Sequence, residues 1–149
     1  MALIRITKEF RFEMAHALLG YDGLCSNIHG HSYRLAVTLA GEPVNKNSNP
    51  KNGMVMDFGE LKEIVKKEII DRFDHSLVLN AATPERDEII SLPLFEKVIF
   101  LPYQPTCENM LPDFAERISK YLPSDITLHS LCLRETENSY AEWFAEDNL

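Results

Sequence analysis

Three histidines carry the first chemical signal. His29 and His31 are separated only by Gly30. On an extended chain, residues two apart point to the same side, so both imidazoles can meet one ion, and Gly30 leaves room for a close approach. His16 ends the segment Phe12-Glu13-Met14-Ala15-His16, just past the first strand-like stretch. If the first two strands pair antiparallel, His16 lands beside the other two. Three neutral imidazoles with an open fourth position form the pattern of a catalytic zinc site, whereas a structural site is normally closed by four protein ligands. The competing reading is three surface or turn histidines, because a His-x-His pair alone is a weak signal.

Other reactive groups surround this set. Cys25 precedes His29 by four residues, in a polar turn. It suits a fourth ligand, a thiolate base sharpened by a nearby dication, or a small buried hydrophobe. Asp74-His75 follows a helical segment. If the chain turns there, the carboxylate can fix the imidazole tautomer; otherwise the pair is simply a helix end. Glu135 shares strand parity with Leu131 and Leu133, where a carboxylate needs a partner or a solvated strand end. Thr106 can cap a helix whose first turn holds Glu108, an acidic placement that the helix dipole alone explains. His129, Cys107 and Cys132 read as packing residues.

These groups need elements to hold them. Ile4 to Phe12 reads as a strand, with Ile4, Ile6, Phe10 and Phe12 on one parity. Residues 31–40 alternate at Tyr33, Leu35, Val37 and Leu39 and form a second. The Asn-, Pro- and Gly-rich stretch Gly41 to Gly53 reads as a long hairpin connection, followed by a short strand over Met54 to Phe58. Asp57 and Glu60 have capping-box spacing, and Leu61, Ile64, Val65, Glu68, Ile69 and Phe73 fit a helix over about Gly59 to Arg72. Lys97 to Leu101 is a strand candidate. A second helix covers Glu108 to Tyr121, with Pro112 kinking it or marking its start. Ile126 to Glu135 is the last strand. The whole is α+β, an antiparallel sheet covered by helices on one face.

The 149 residues suit one domain, 1–149, with a real core. Three unevenly spaced cysteines argue against a disulfide framework. The charged start of the chain and the lack of any roughly 20-residue apolar run predict no membrane span and a cytoplasmic protein. A net charge of −8 argues against nucleic-acid binding and makes a polyanionic substrate dependent on local basic residues.

Six segments, in order, resemble the 6-pyruvoyl-tetrahydropterin synthase and 6-carboxytetrahydropterin synthase superfamily. They are Phe12-Glu-Met-Ala-His16, Cys25-x-x-x-His29-Gly-His31-Ser-Tyr33, Gly53-Met-Val-Met-Asp57-Phe-Gly-Glu-Leu-Lys62, Asp74-His75-Ser-Leu-Val-Leu-Asn80, Pro105-Thr-Cys-Glu-Asn109 and Arg134-Glu135-Thr136. The resemblance implies a tunnelling (T-) fold with a small antiparallel four-stranded sheet and two helices on one face. It implies zinc on His16, His29 and His31, with Cys25 as the base and Asp74 and His75 as a proton relay. Glu135 would anchor a reduced pterin, helped by Thr106 and Glu108. Subunits would assemble into barrels, typically homohexamers with sites between subunits, so that Cys25 and the Asp74-His75 pair come from different copies.

Two family reactions start from 7,8-dihydroneopterin triphosphate. One loses triphosphate to give 6-pyruvoyl-tetrahydropterin. The other also releases acetaldehyde and leaves 6-carboxytetrahydropterin for deazapurine (queuosine) synthesis. The three-residue gap between Cys25 and His29 resembles the carboxy-forming bacterial branch. Departures are Ala17, where many relatives carry a basic residue, the long stretch Ala81 to Pro102, and Pro112. Lys8, Arg11 and Arg34 are the candidates for meeting the triphosphate. Two further classes stay open: a non-catalytic zinc- or pterin-binding protein, opposed by the retained Cys25, Asp74 and His75, and a metallohydrolase, opposed by the lack of a carboxylate near the histidines in sequence.

Overall fold

A computed structural model, which describes residues 2–149, has a long antiparallel pair at its centre. Strand β1 (Ile4–His16) runs in register with β2 (His29–Gly41), from Ile4 opposite Gly41 to His16 opposite His29. The alternation read from the sequence sets this register, because it puts Phe12, Met14, Tyr33, Leu35, Val37 and Leu39 together on one buried face.

Against that face lies a helical segment made of α1 (Phe58–Val65), a π-helical stretch (Lys66–Ile70) and a last turn α2 (Asp71–Phe73). Asp57 caps it by accepting from the Gly59 N–H at 2.8 Å. Glu60 does not complete the expected box; it lies 4.0 Å from Lys51. Glu68 interrupts the apolar stripe and is buried, with Arg72 at 3.5 Å.

After α2 come β3 (Ser76–Asn80), α3 (Arg86–Ser91), β4 (Val98–Leu101), α4 (Cys107–Ser119), β5 (Thr127–Thr136) and β6 (Ser139–Phe144). Thr106 caps α4, accepting from Asn109 N at 3.2 Å. The helix starts at Cys107 and runs through the exposed Pro112. The core between sheet and helices joins Phe12, stacked on Tyr33 at 5.1 Å, with Leu61, Ile69, Phe73, Met110, Phe114, Leu131 and Leu133. Each such side chain contributes about 1.5–3 kcal/mol on burial.

Three expectations are corrected. The sheet has six strands, ordered β4-β3-β1-β2-β5-β6, and not four. It is mixed, because β3 runs parallel to β1 and β4 parallel to β3. Residues Met54 to Phe58 form no strand: Gly53 N donates to Val44 O, Met54 O accepts from Val44 N, Met54 N donates to Lys51 O, and Val55 and Met56 tuck into the core as a loop.

Candidate active site

The hairpin register delivers the histidines. His16 and His29 are directly opposed, and His31 follows on the same face of β2. Their ligand atoms all lie within 4.8 Å of one another. The His16 Nδ1 lies 2.7 Å from the Pro105 carbonyl oxygen, and the His29 Nδ1 lies 2.8 Å from that of Asn27. A carbonyl oxygen only accepts, so both Nδ1 atoms carry the proton. In the neutral rings that metal ligation requires, both Nε2 atoms are then lone-pair acceptors, and they face each other at 3.0 Å. Two acceptors do not bond; a shared cation satisfies both. Imidazoles on one tetrahedral zinc stand about 3.3 Å apart, close to this spacing. The donor set fits a metal ion.

Electrostatics favour the ligating form. Burial pulls the His16 imidazole below its ordinary value; the Pro105 carbonyl opposes this and His29 adds to it. Burial lowers His31 too, against the pull of Glu135. Both rings are thus held neutral. Gly30 has a smaller role than expected. A Cβ there would meet Met14 O at 3.5 Å, an ordinary contact, so steric room is not what requires glycine.

Glu135 is not at a loose strand end. Its Oε1 lies 3.2 Å from His31 Nε2 and 3.5 Å from His16 Nε2. The β5–β6 register breaks between Arg134 and Thr136, and such irregularities re-aim a side chain. This also removes the sequence argument that no carboxylate stands near the histidines. Thr106 and Glu108 lie at the start of α4. Burial pushes the Cys107 thiol up to about 12, with Glu135 and Glu108 adding to the effect, so Cys107 is a packing residue.

Cys25 is exposed and lies outside the histidine group, which excludes both the buried reading and a fourth-ligand position here. Its loop is pinned by Leu18 N donating to Cys25 O at 2.9 Å. Gln104, which no sequence signal marks, accepts from Leu19 N and donates to Leu19 O.

Asp74 and His75 do turn together. His75 has φ +60, and its Nδ1 lies 3.0 Å from Asp74 Oδ2. The Asp74 Oδ1 accepts from Glu13 N at 2.8 Å, and His75 N donates to Glu13 O at 2.6 Å. The His75 ring is 77% exposed and lines, with His31, Glu13 and Ile28, an open cavity of about 510 Å³. Lys8 sits over the Phe58 ring. Arg11 lies opposite Arg34, and Arg34 opposite Arg134, on the sheet face away from the core. They line a second cavity of about 710 Å³.

Residues 5–146 match the family model described as 6-pyruvoyl tetrahydropterin synthase. The chain belongs to the 6-pyruvoyl tetrahydropterin synthase family. A relative from Haemophilus influenzae, named 6-carboxy-5,6,7,8-tetrahydropterin synthase, is 36% identical over 143 residues, covering 95% of this chain and 99% of that protein. A Rickettsia felis protein of the same name is 31% identical over 94% of this chain and 99% of its own length. Solved structures agree on the fold. An uncharacterized Wolinella succinogenes protein superposes with a TM-score of 0.81 at 19% identity, covering 97% of this chain and 99% of that one. The Caenorhabditis elegans 6-pyruvoyl tetrahydropterin synthase gives 0.67 at 24% identity, covering 97% of each. Within this family fold, the described residues contain no helix long and apolar enough to cross a membrane.

Proposed function

We propose that this chain is a zinc-dependent lyase that converts 7,8-dihydroneopterin triphosphate to 6-carboxy-5,6,7,8-tetrahydropterin, releasing acetaldehyde and triphosphate. The observation that carries the choice of product is the full-length likeness to relatives named for it, at up to 36% identity among those compared. The converging lone pairs of His16 and His29 support the metal. Residues 1–149 act as one such domain, in the cytoplasm.

His16, His29 and His31 would hold the ion, which supplies Lewis acidity toward side-chain oxygens of the substrate. Three imidazoles suit zinc. Glu135 accepts hydrogen bonds from the amino-pyrimidine edge of the pterin, beside the Thr106–Glu108 turn. Cys25, as thiolate, takes a proton from the side-chain carbon. His75 gives or takes the partner proton, with Asp74 fixing its tautomer. Cys25 and the His75 ring are both exposed, and apolar neighbours lie open to solvent, with Leu24 88% and Leu94 91% exposed. The sheet also has free edges at β4 and β6. These features support assembly, a hexamer by family likeness, with one subunit's Cys25 meeting another's Asp74-His75 pair.

The test is zinc dependence of turnover. Metal-stripped protein should be inactive on 7,8-dihydroneopterin triphosphate and regain activity with one equivalent of zinc per chain. Full activity without metal would overturn the proposal.

A further inference from the structure

The Asp74–His75 turn is strained. A non-glycine residue at φ +60 is uncommon and persists only where its surroundings hold it there. On one side the main chain of Glu13 grips both residues, as described above. On the other side Ser76 Oγ donates to Phe73 O at 2.5 Å, and Lys97 ties both ends of the turn. Its carbonyl accepts from Leu77 N at 2.9 Å, just after the turn. Its ammonium donates to Asp71 O at 2.8 Å and to Asp74 O at 2.5 Å, just before the turn.

Those two carbonyls end the helical segment whose C-cap is Asp74. Helix ends leave carbonyls without partners, and a lysine there satisfies both the hydrogen bonds and the dipole. Lys97 thus closes His75 between two fixed points. It also shares the wall of the cavity that His75 and His31 line. It comes from the long 81–102 stretch that departs from the family pattern, so that stretch has a task at the site.

We propose that Lys97 is a positioning residue for the Asp74–His75 pair. The inference rests on the reading of that pair as the proton relay. Lys97 hydrogen-bonds only main-chain carbonyls in this role, and its charge lies near enough to help hold the Asp74 carboxyl down. Its loss should leave metal and substrate binding intact while His75 drifts from its working geometry.

The experiment compares wild type with Lys97→Met, Lys97→Gln, Lys97→Arg and His75→Ala, with Lys120→Met as an exposed control. Turnover of 7,8-dihydroneopterin triphosphate, zinc content and thermal melting are measured on each. A misplaced catalytic group costs up to about a hundredfold, so Lys97→Met and Lys97→Gln should lower kcat by at least about tenfold, with KM within about twofold and zinc unchanged. Lys97→Arg, which keeps charge and donors, should recover most of kcat. If His75→Ala is inactive but folded Lys97→Met and Lys97→Gln keep kcat within about twofold, the positioning role is wrong. Full activity of His75→Ala would instead remove the relay itself, and the role of Lys97 with it.

Discussion

His16 Nε2 and His29 Nε2 face each other at 3.0 Å, with both ring protons held on the far nitrogens by the Pro105 and Asn27 carbonyls. Two such lone pairs at that distance fit a shared cation, whatever the motif. Replacing His29 with Ala should therefore lower zinc affinity by more than about a hundredfold, since even the outer partners of such ligands are worth about 10–100-fold. Competition against a chromogenic chelator measures it. Gly30→Ala should keep its zinc, because the added methyl meets Met14 O at 3.5 Å.

Thr106 serves the fold as well as the site. Its hydroxyl accepts from Asn109 N at the start of α4. Thr106→Ala should cost about 1 kcal/mol, which for a chain of this size is roughly 2–4 °C in Tm. Thr106→Ser should restore it. Calorimetry on metal-free protein separates this from ligand effects.

The cysteines should differ in reactivity. Cys25 is exposed, whereas burial pushes Cys107 up to about 12 and raises Cys132 as well. Iodoacetamide at pH 8 should label Cys25 first in native protein, followed by peptide mass spectrometry. Early labelling of Cys107 would mean that the α4 N-terminus opens readily.

Asp74 should leave a pH signature in stability. Burial acts to raise its carboxyl, but the Glu13 amide, His75 and Lys97 outweigh this and hold it below the ordinary 3.8. A lowered folded value means that the unfolded chain binds the proton first on acidification. The advantage of wild type over Asp74→Asn should be present above pH 3.8 and fade as pH falls through the folded value. Urea unfolding across that range tests the sign.

The histidine site was legible because period two and an antiparallel hairpin are enough to converge His16, His29 and His31. From its strand pattern Glu135 was legible as no more than an odd carboxylate on an apolar face; the resemblance gave it a substrate to anchor and no place beside the histidines. Its approach to His16 and His31 depends on the β2–β5 register and on the break after Arg134, which are long-range pairings. Strand β3 escaped because Leu77, Val78 and Leu79 are all buried and leave no alternation. Met54 to Phe58 misled in the opposite sense, as Val55 and Met56 are apolar for loop packing. The Asp74–His75 turn needed a left-handed histidine, and histidine's modest preference for that region is too weak to announce it.

Product identity tests the central claim most directly. Zinc-loaded protein is incubated with 7,8-dihydroneopterin triphosphate, the pterins are resolved by mass spectrometry, and acetaldehyde is trapped as its hydrazone. The account predicts 6-carboxytetrahydropterin and acetaldehyde in equal amounts, both lost in Cys25→Ala. A 6-pyruvoyl product without acetaldehyde, or unchanged turnover by Cys25→Ala, would contradict it.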